Sequence, residues 1–142
     1  IGKGMTLIHP ECCKPELVDE FETIMAQSGR FDRIGENLAD AAGAASGCVP
    51  AFAYLFMEGL ADGAVMAGVP RQKAMTYVAQ AVLGAASLVL ESGQHPGALK
   101  DAVCSPGGST IVGVSKLEEG GLRSACIQAV AGSAEKNKQL GK

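Results

Sequence analysis

Ser105, Gly107, Gly108, Ser109 and Thr110 stand together in "CSPGGSTIVG", residues 104–113. Two glycines can turn the chain through positive φ without a Cβ clash. Backbone N–H groups can then converge on one spot, beside the positive end of whatever helix follows. Three hydroxyls add to that spot. Such a loop suits a carboxylate or a phosphate. The competing reading is an ordinary helix-to-helix turn with a Ser or Thr N-cap. Neither a Walker A loop nor a dinucleotide fingerprint is present in it, so residue chemistry alone leaves both readings open.

Other groups offer less. "IGKGMTL" spaces Gly2 and Gly4 as G-x-G, but Leu7 stands at the third glycine position and no strand precedes it. The dinucleotide fingerprint therefore fails. His9, Cys12 and Cys13 are close in sequence, yet adjacent cysteines rarely both reach one tetrahedral ion and no fourth ligand is evident. No metal site is expected. His95 in "GQHPG" reads as a turn or N-cap histidine. Glu58 and Asp62 lie one turn apart on the most apolar helix, as an acid–base pair or as partners of neighbouring helix ends. No Ser–His–Asp set can be assembled.

The elements that must position these residues fall into two groups. "GMTLIHP" and "RFDRIG" read as short strands flanking an amphipathic helix, "KPELVDEFETIMAQSG". In that helix Leu17, Phe21, Ile24 and Met25 share a face, Pro15 suits the first turn, and Gly29 is placed to close the end. Two strands do not make a stable sheet, so this unit is expected to belong to a larger α/β domain. From Glu36 onward the pattern is helical. A short helix is expected over Leu38–Ser46, and Pro50 opens a longer one to Ala67. The next runs from Arg71 to Ser92, with a stripe of Met75, Val78, Ala79, Val82, Ala86, Val89 and Leu90. Shorter helices are expected over Pro96–Val103 and Thr110–Leu117. Leu122–Leu140 closes the chain, with Lys136, Lys138 and Lys142 near its negative end.

Composition narrows the class. The 142 residues are 47% hydrophobic and 4% aromatic, with a net charge of −3. Closely packed helices fit that balance, and nucleic-acid binding, which needs a basic surface, does not. Five cysteines are an odd number without a C-x-x-C pair, which fits reduced thiols in a cytoplasmic protein. Ala41–Met57 and Ala74–Leu90 reach the lower length for a membrane span, but their Gly, Ser, Thr and Gln content favours buried helices, so no membrane is expected. No signal peptide is visible, and a chain without an initial Met is expected to be a fragment or a processed product. Gly43 and Gly47, and Gly59 and Gly63, are spaced G-x-x-x-G. The helix from Pro50 to Ala67 is apolar around nearly its whole circumference. Such a helix has to be covered, and a domain of this size has few enclosed positions. A second subunit interlocking with the first is the expectation.

Two long stretches complete the reading. They are "ENLADAAGAASGCVPAFAYLFMEGLADGAVMAGVPR" and "AQAVLGAASLVLESGQHPGALKDAVCSPGGSTIVGVSKLEEGGLRSACIQAV". In motif order and spacing they resemble pyrroline-5-carboxylate reductase, and "HPGALKDAVCSPGGSTI" is the most specific part. The resemblance implies a mainly α fold. An all-helical dimerisation and substrate-binding domain over residues 37–142, like the C-terminal domain of 6-phosphogluconate dehydrogenase, would follow a strand–helix–strand remnant of a Rossmann NAD(P)-binding domain over residues 1–36. It also implies NADPH or NADH as hydride donor, bound outside this chain, and a homodimer that can assemble into a ring such as a decamer. By the same resemblance, Ser105 and the N–H groups of Gly107, Gly108 and Ser109 would hold the substrate carboxylate, and Thr110 would face the imine nitrogen. Alone, the chain is expected to be inactive. "SGCVPAF" departs from the family's S-G-S-G-P-A-Y at Cys48, Val49 and Phe52, and Gly93 stands where some relatives carry a glutamate. A non-catalytic dimerisation module and another β-hydroxyacid-dehydrogenase-like reductase are the alternatives. The latter usually carries a helical catalytic lysine, where Arg71–Ser92 offers only Lys73.

Overall fold

Strand β1 (Gly4–Ile8) pairs in parallel with β2 (Gly29–Arg33), with Gly4 opposite Gly29 and Ile8 opposite Arg33. The computed structural model describes residues 1–141, the side chain of Cys12 excepted. Helix α1 (Pro15–Ile24) is the crossover between the strands, and it opens on Pro15 as the sequence predicts. Val18 is its buried residue, and Phe21 meets Phe31 of β2 edge-on with ring centroids 6.1 Å apart. Leu17 and Ile24 stay exposed.

Gly29 does not close α1. The helix stops at Ile24, a 3-10 turn covers Ala26–Ser28, and Gly29 begins β2 with φ +148°. A Cβ there would collide with the backbone of Gly4. The glycine is needed for close approach between strands rather than for helix termination.

After a 3-10 turn at Glu36–Leu38, α2 (Ala39–Gly43) runs into a π-helical turn at Ala44–Cys48 and then into α3 (Val49–Met66). The expected break before Pro50 is therefore a wide turn within helix. Proline lacks the N–H that an α-helical bond to Ser46 would need, and a π turn changes the register at that place. Two side chains serve the preceding carbonyls. Ser46 Oγ donates to Ala42 O at 2.8 Å, and Asn137 Nδ2 donates to Asp40 O at 3.1 Å.

Helices α4 (Arg71–Ser92), α5 (Pro96–Ala102), α6 (Ser109–Glu119) and α7 (Leu122–Leu140) follow. The ends of α4 and α7 fall where the sequence places them. Gly93, in the left-handed region at φ +65°, stops α4. Lys136 and Lys138 lie in the last turns of α7, while Lys142 lies outside the described residues.

The chain divides into two compact units, residues 1–50 with 126–142, and residues 51–125. In the first unit Val18 and Ala44 are buried, and in the second only Ala61 and Ala74 are, among the described residues. Long apolar side chains stand in the open: Tyr54, Leu55 and Phe56 on α3, and Met75, Tyr77, Leu83, Leu88 and Leu90 on α4. The expectation that these helices are buried is not met within one protomer. Glu36–Met66 and Arg71–Ser92 are also long and apolar enough to cross a membrane by length and composition, at mean hydropathies of 1.3 and 1.4.

Candidate functional site

Everything in "ESGQHPGALKDAVCSPGGST" serves to turn the chain twice and restart a helix each time. Ser92 Oγ donates to Leu88 O at 2.6 Å and accepts from Gln94 N–H at 3.2 Å, which secures the end of α4. His95 is the N-cap of α5. Its Nδ1 accepts the Gly97 N–H at 3.0 Å. The expectation of an N-cap histidine is met. Pro96 occupies the first turn, where a missing N–H costs nothing.

At the far end of α5 the Cys104 N–H returns to Asp101 O at 3.1 Å, and the second turn begins. The Gly108 N–H donates to Ser105 O at 3.0 Å, across Pro106 and Gly107. Gly107 has φ +68°. Proline at the second position and a positive-φ glycine at the third make this a type II turn. Gly108 is required for a different reason, because a Cβ on it would collide with Ser105 Oγ. Residues 105 and 108 are thus brought together by the turn itself.

Gly108 is also the N-cap of α6, and no side-chain hydrogen bond caps that end. The ordinary Ser/Thr N-cap reading is excluded by this observation. Ser109 and Thr110 form the first turn of α6 and are exposed. The N–H groups of a first helical turn have no partner within the helix, and here no capping oxygen takes them. A loop hydroxyl, a helix N-terminus and the dipole behind it coincide, which is the arrangement that binds an oxyanion. The Gly108 N–H is already engaged in the turn, so its contribution is the space it leaves for Ser105.

Charged side chains frame the turn. Lys100 pairs with Asp101, and that bond holds the ammonium above its ordinary range. Arg123 pairs with Glu118; the hydrogen bond lowers the carboxyl and raises the guanidinium. Lys100 also acts on Glu118 across space. Each cation therefore has a local carboxylate partner.

Other predicted groups separate. Asp62 pairs with Arg71 at the start of α4, and Glu58 lines an open, mostly apolar groove of about 480 Å³ with Tyr54, Leu55 and Met75. Both carboxylates are exposed, so they form no buried acid–base pair. His9 Nδ1 lies 3.4 Å from Ile34 O. The Cys12 side chain lies outside the described residues, and no group of three potential metal ligands occurs among those that are described. Cys13, Cys48, Cys104 and Cys126 form no disulfide among the described residues.

The pyrroline-5-carboxylate reductase dimerisation family matches residues 36–140. Pyrroline-5-carboxylate reductase of Escherichia coli K12 is 43% identical over 143 residues, covering 100% of this chain and 53% of that protein. The Methanosarcina acetivorans reductase is 46% identical over 141 residues, 99% of this chain and 49% of its own length. The crystal structure of Plasmodium falciparum pyrroline carboxylate reductase with NADP bound superposes with a TM-score of 0.90. It is 33% identical and covers 99% of this chain and 54% of that one. The chain spans about half the length of the curated relatives it matches. With the family matching most of its length, and with a helical fold led by a strand–helix–strand unit, the chain belongs to the pyrroline-5-carboxylate reductase family.

Proposed function

We propose that this chain is the dimerisation and substrate-binding part of a pyrroline-5-carboxylate reductase, which reduces the C=N bond of 1-pyrroline-5-carboxylate to give L-proline. The observation that carries the reading is the type II turn at Ser105–Gly108 running into an α6 N-terminus with no side-chain cap. The residues present do not make a dinucleotide cradle. Gly2 and Gly4 lead into β1, and Leu7 stands where a dinucleotide fingerprint would place its third glycine. NADPH or NADH, the source of hydride in this reaction, is therefore assigned to residues outside this chain.

The chain's own residues hold and orient the substrate. Ser105 Oγ and the N–H groups of Gly107 and Ser109 receive the carboxylate, with Gly108 leaving room for the serine hydroxyl. Charge-assisted bonds of this kind contribute about 1.5–3 kcal/mol each. Thr110, one residue into α6, places its hydroxyl at the imine nitrogen. Reduction adds a hydride to carbon and a proton to nitrogen, and a threonine hydroxyl is too weak an acid to supply that proton unaided. It serves as hydrogen-bond partner and relay from water. The domain boundary proposed is 1–36 for the tail of the nucleotide-binding domain and 37–142 for the helical domain. Two protomers interlock through α3 and α4, whose apolar side chains have no cover in one chain. Further assembly into a ring such as a decamer, and a cytoplasmic location, complete the proposal.

The test is Thr110→Ala in the full-length reductase that carries this segment. Turnover falls by about 10²-fold or more, the size of effect expected of a positioned proton-transfer group, and NADPH affinity stays as it was. Unchanged kinetics would discard the role. This chain purified alone oxidises no NADPH when offered 1-pyrroline-5-carboxylate.

A further inference from the structure

His95, Pro96 and Gly97 divide one task between them. A proline ring clashes with the residue before it and forces that residue out of the helical region. His95 is accordingly extended, at φ −63° and ψ 131°, which is the backbone an N-cap needs. Its imidazole then lies over the first turn of α5, where Nδ1 accepts the Gly97 N–H at 3.0 Å. A Cβ on Gly97 would stand 3.0 Å from Nδ1 and 3.2 Å from Cε1, tighter than ordinary contact. Proline sets the backbone, glycine leaves the ring its place, and histidine supplies the acceptor.

The cap matters because little else holds α5 within the protomer. Its seven residues are too few for a helix to persist by propensity, and none of them is buried. Helices α1, α4 and α6 have no side-chain cap, while α5 has one. At the far end the Cys104 N–H returns to Asp101 O, and Ser105 opens the type II turn one residue later. A helix about 10 Å long, at 1.5 Å per residue, thus carries the position of the cap to the serine.

We propose that His95 is a positioning residue for the substrate: by capping α5 it fixes where Ser105 Oγ meets the carboxylate, without touching the substrate itself. The proposal rests on the reading of Ser105 as a carboxylate ligand in the proposed reductase. It adds a residue that acts through the helix, and a reason for the order His-Pro-Gly.

The experiment is steady-state kinetics on the full-length reductase that carries this segment, with His95→Ala, His95→Asn, Ser105→Ala and the double variant of His95→Ala with Ser105→Ala. His95→Ala raises the KM for 1-pyrroline-5-carboxylate about 3- to 10-fold, the scale of a lost N-cap. Both kcat and the KM for NADPH stay within about 2-fold, since ground-state and transition-state binding are lost alike. His95→Asn restores the wild-type KM, because its amide oxygen can accept the same N–H. The double variant binds substrate no worse than Ser105→Ala alone, as required of a residue that acts only through Ser105. A wild-type KM in His95→Ala overturns the proposal, as does a raised KM in His95→Asn or additive losses in the double variant. Should His95→Ala fail to fold, Gly97→Ala takes its place. Its Cβ presses on the ring and raises the same KM about 2- to 3-fold, part of the cap's contribution, and an unchanged value overturns the proposal. Ser105→Ala reports on the underlying reading. If it leaves the KM unchanged, the carboxylate ligand and the positioning role fall together. If it raises the KM while His95→Ala does not, the positioning role alone falls.

Discussion

Gly107 and Gly108 are adjacent glycines held by different constraints. Gly107 is fixed by its positive φ and Gly108 by the serine hydroxyl packed where a Cβ would go. Substitution at the second position therefore acts first on Ser105 and, through it, on the proposed carboxylate site. Gly108→Ala pushes the Ser105 hydroxyl aside and, in the proposed site, removes one bond to the carboxylate. The Michaelis constant for 1-pyrroline-5-carboxylate rises about 10- to 100-fold, as expected for ~1.5–3 kcal/mol, while the constant for NADPH is unchanged. Steady-state kinetics on the full-length reductase check both values, and equal losses for the two substrates would count against the assignment. At this scale much was legible in the sequence. A Pro-Gly-Gly run states a turn, and His95 before Pro96 states a cap. The sequence could not say which glycine answered to φ and which to space, because that depends on the rotamer of Ser105.

The bounds of α4 and α7 were read from sequence to the residue, whereas α6 runs over Ser109–Glu119 rather than Thr110–Leu117 and α5 ends at Ala102 rather than Val103. Ends set by register were not legible. The π turn at Ala44–Cys48 has no residue signature of its own, and Pro50 reads as a helix start when nothing shows that the turn ahead of it has widened. Gly29 was misread because its task lies across the sheet, at Gly4, twenty-five positions away in the chain. The strand–helix–strand unit has its own electrostatic fastening. Arg33 bonds Glu22 through both oxygens, and those bonds hold the Glu22 carboxyl below its ordinary range. A depressed carboxyl contributes stability above its unfolded value of about 4.3 and loses it as the pH falls through the lower folded value. The α1–β2 contact is accordingly steady at neutral pH and weakens in acid. Glu22→Gln removes that acid-range loss, measured as amide protection of β2 between neutral pH and the acid limb. An identical acid profile in the variant would mean that the ion pair carries none of it.

For the molecule as a whole, the balance of exposed and covered apolar surface decides the most. The unit of residues 51–125 encloses Ala61 and Ala74 and leaves the long side chains of α3 and α4 in the open. Two buried alanines cannot offset the conformational entropy of ordering helices of this length. Folding of this half is therefore tied to association in the proposed dimer. The thermal midpoint should climb with protein concentration, gaining about 2.7 kcal/mol of apparent stability over a ~100-fold range. Calorimetry at both ends of that range checks it, and a midpoint independent of concentration would exclude the coupling. The sequence displayed the apolar circumference of α3 and, set against the few enclosed positions of so short a domain, already led to the expectation of a second subunit over it. The same surface has a consequence for biosynthesis. Until a newly made protomer finds its mate, it presents two segments, Glu36–Met66 and Arg71–Ser92, with the length and hydropathy of membrane spans. Chaperones and insertion machinery read nascent chains by those two properties, so the interval before pairing is when this polypeptide is most exposed to misrouting and aggregation.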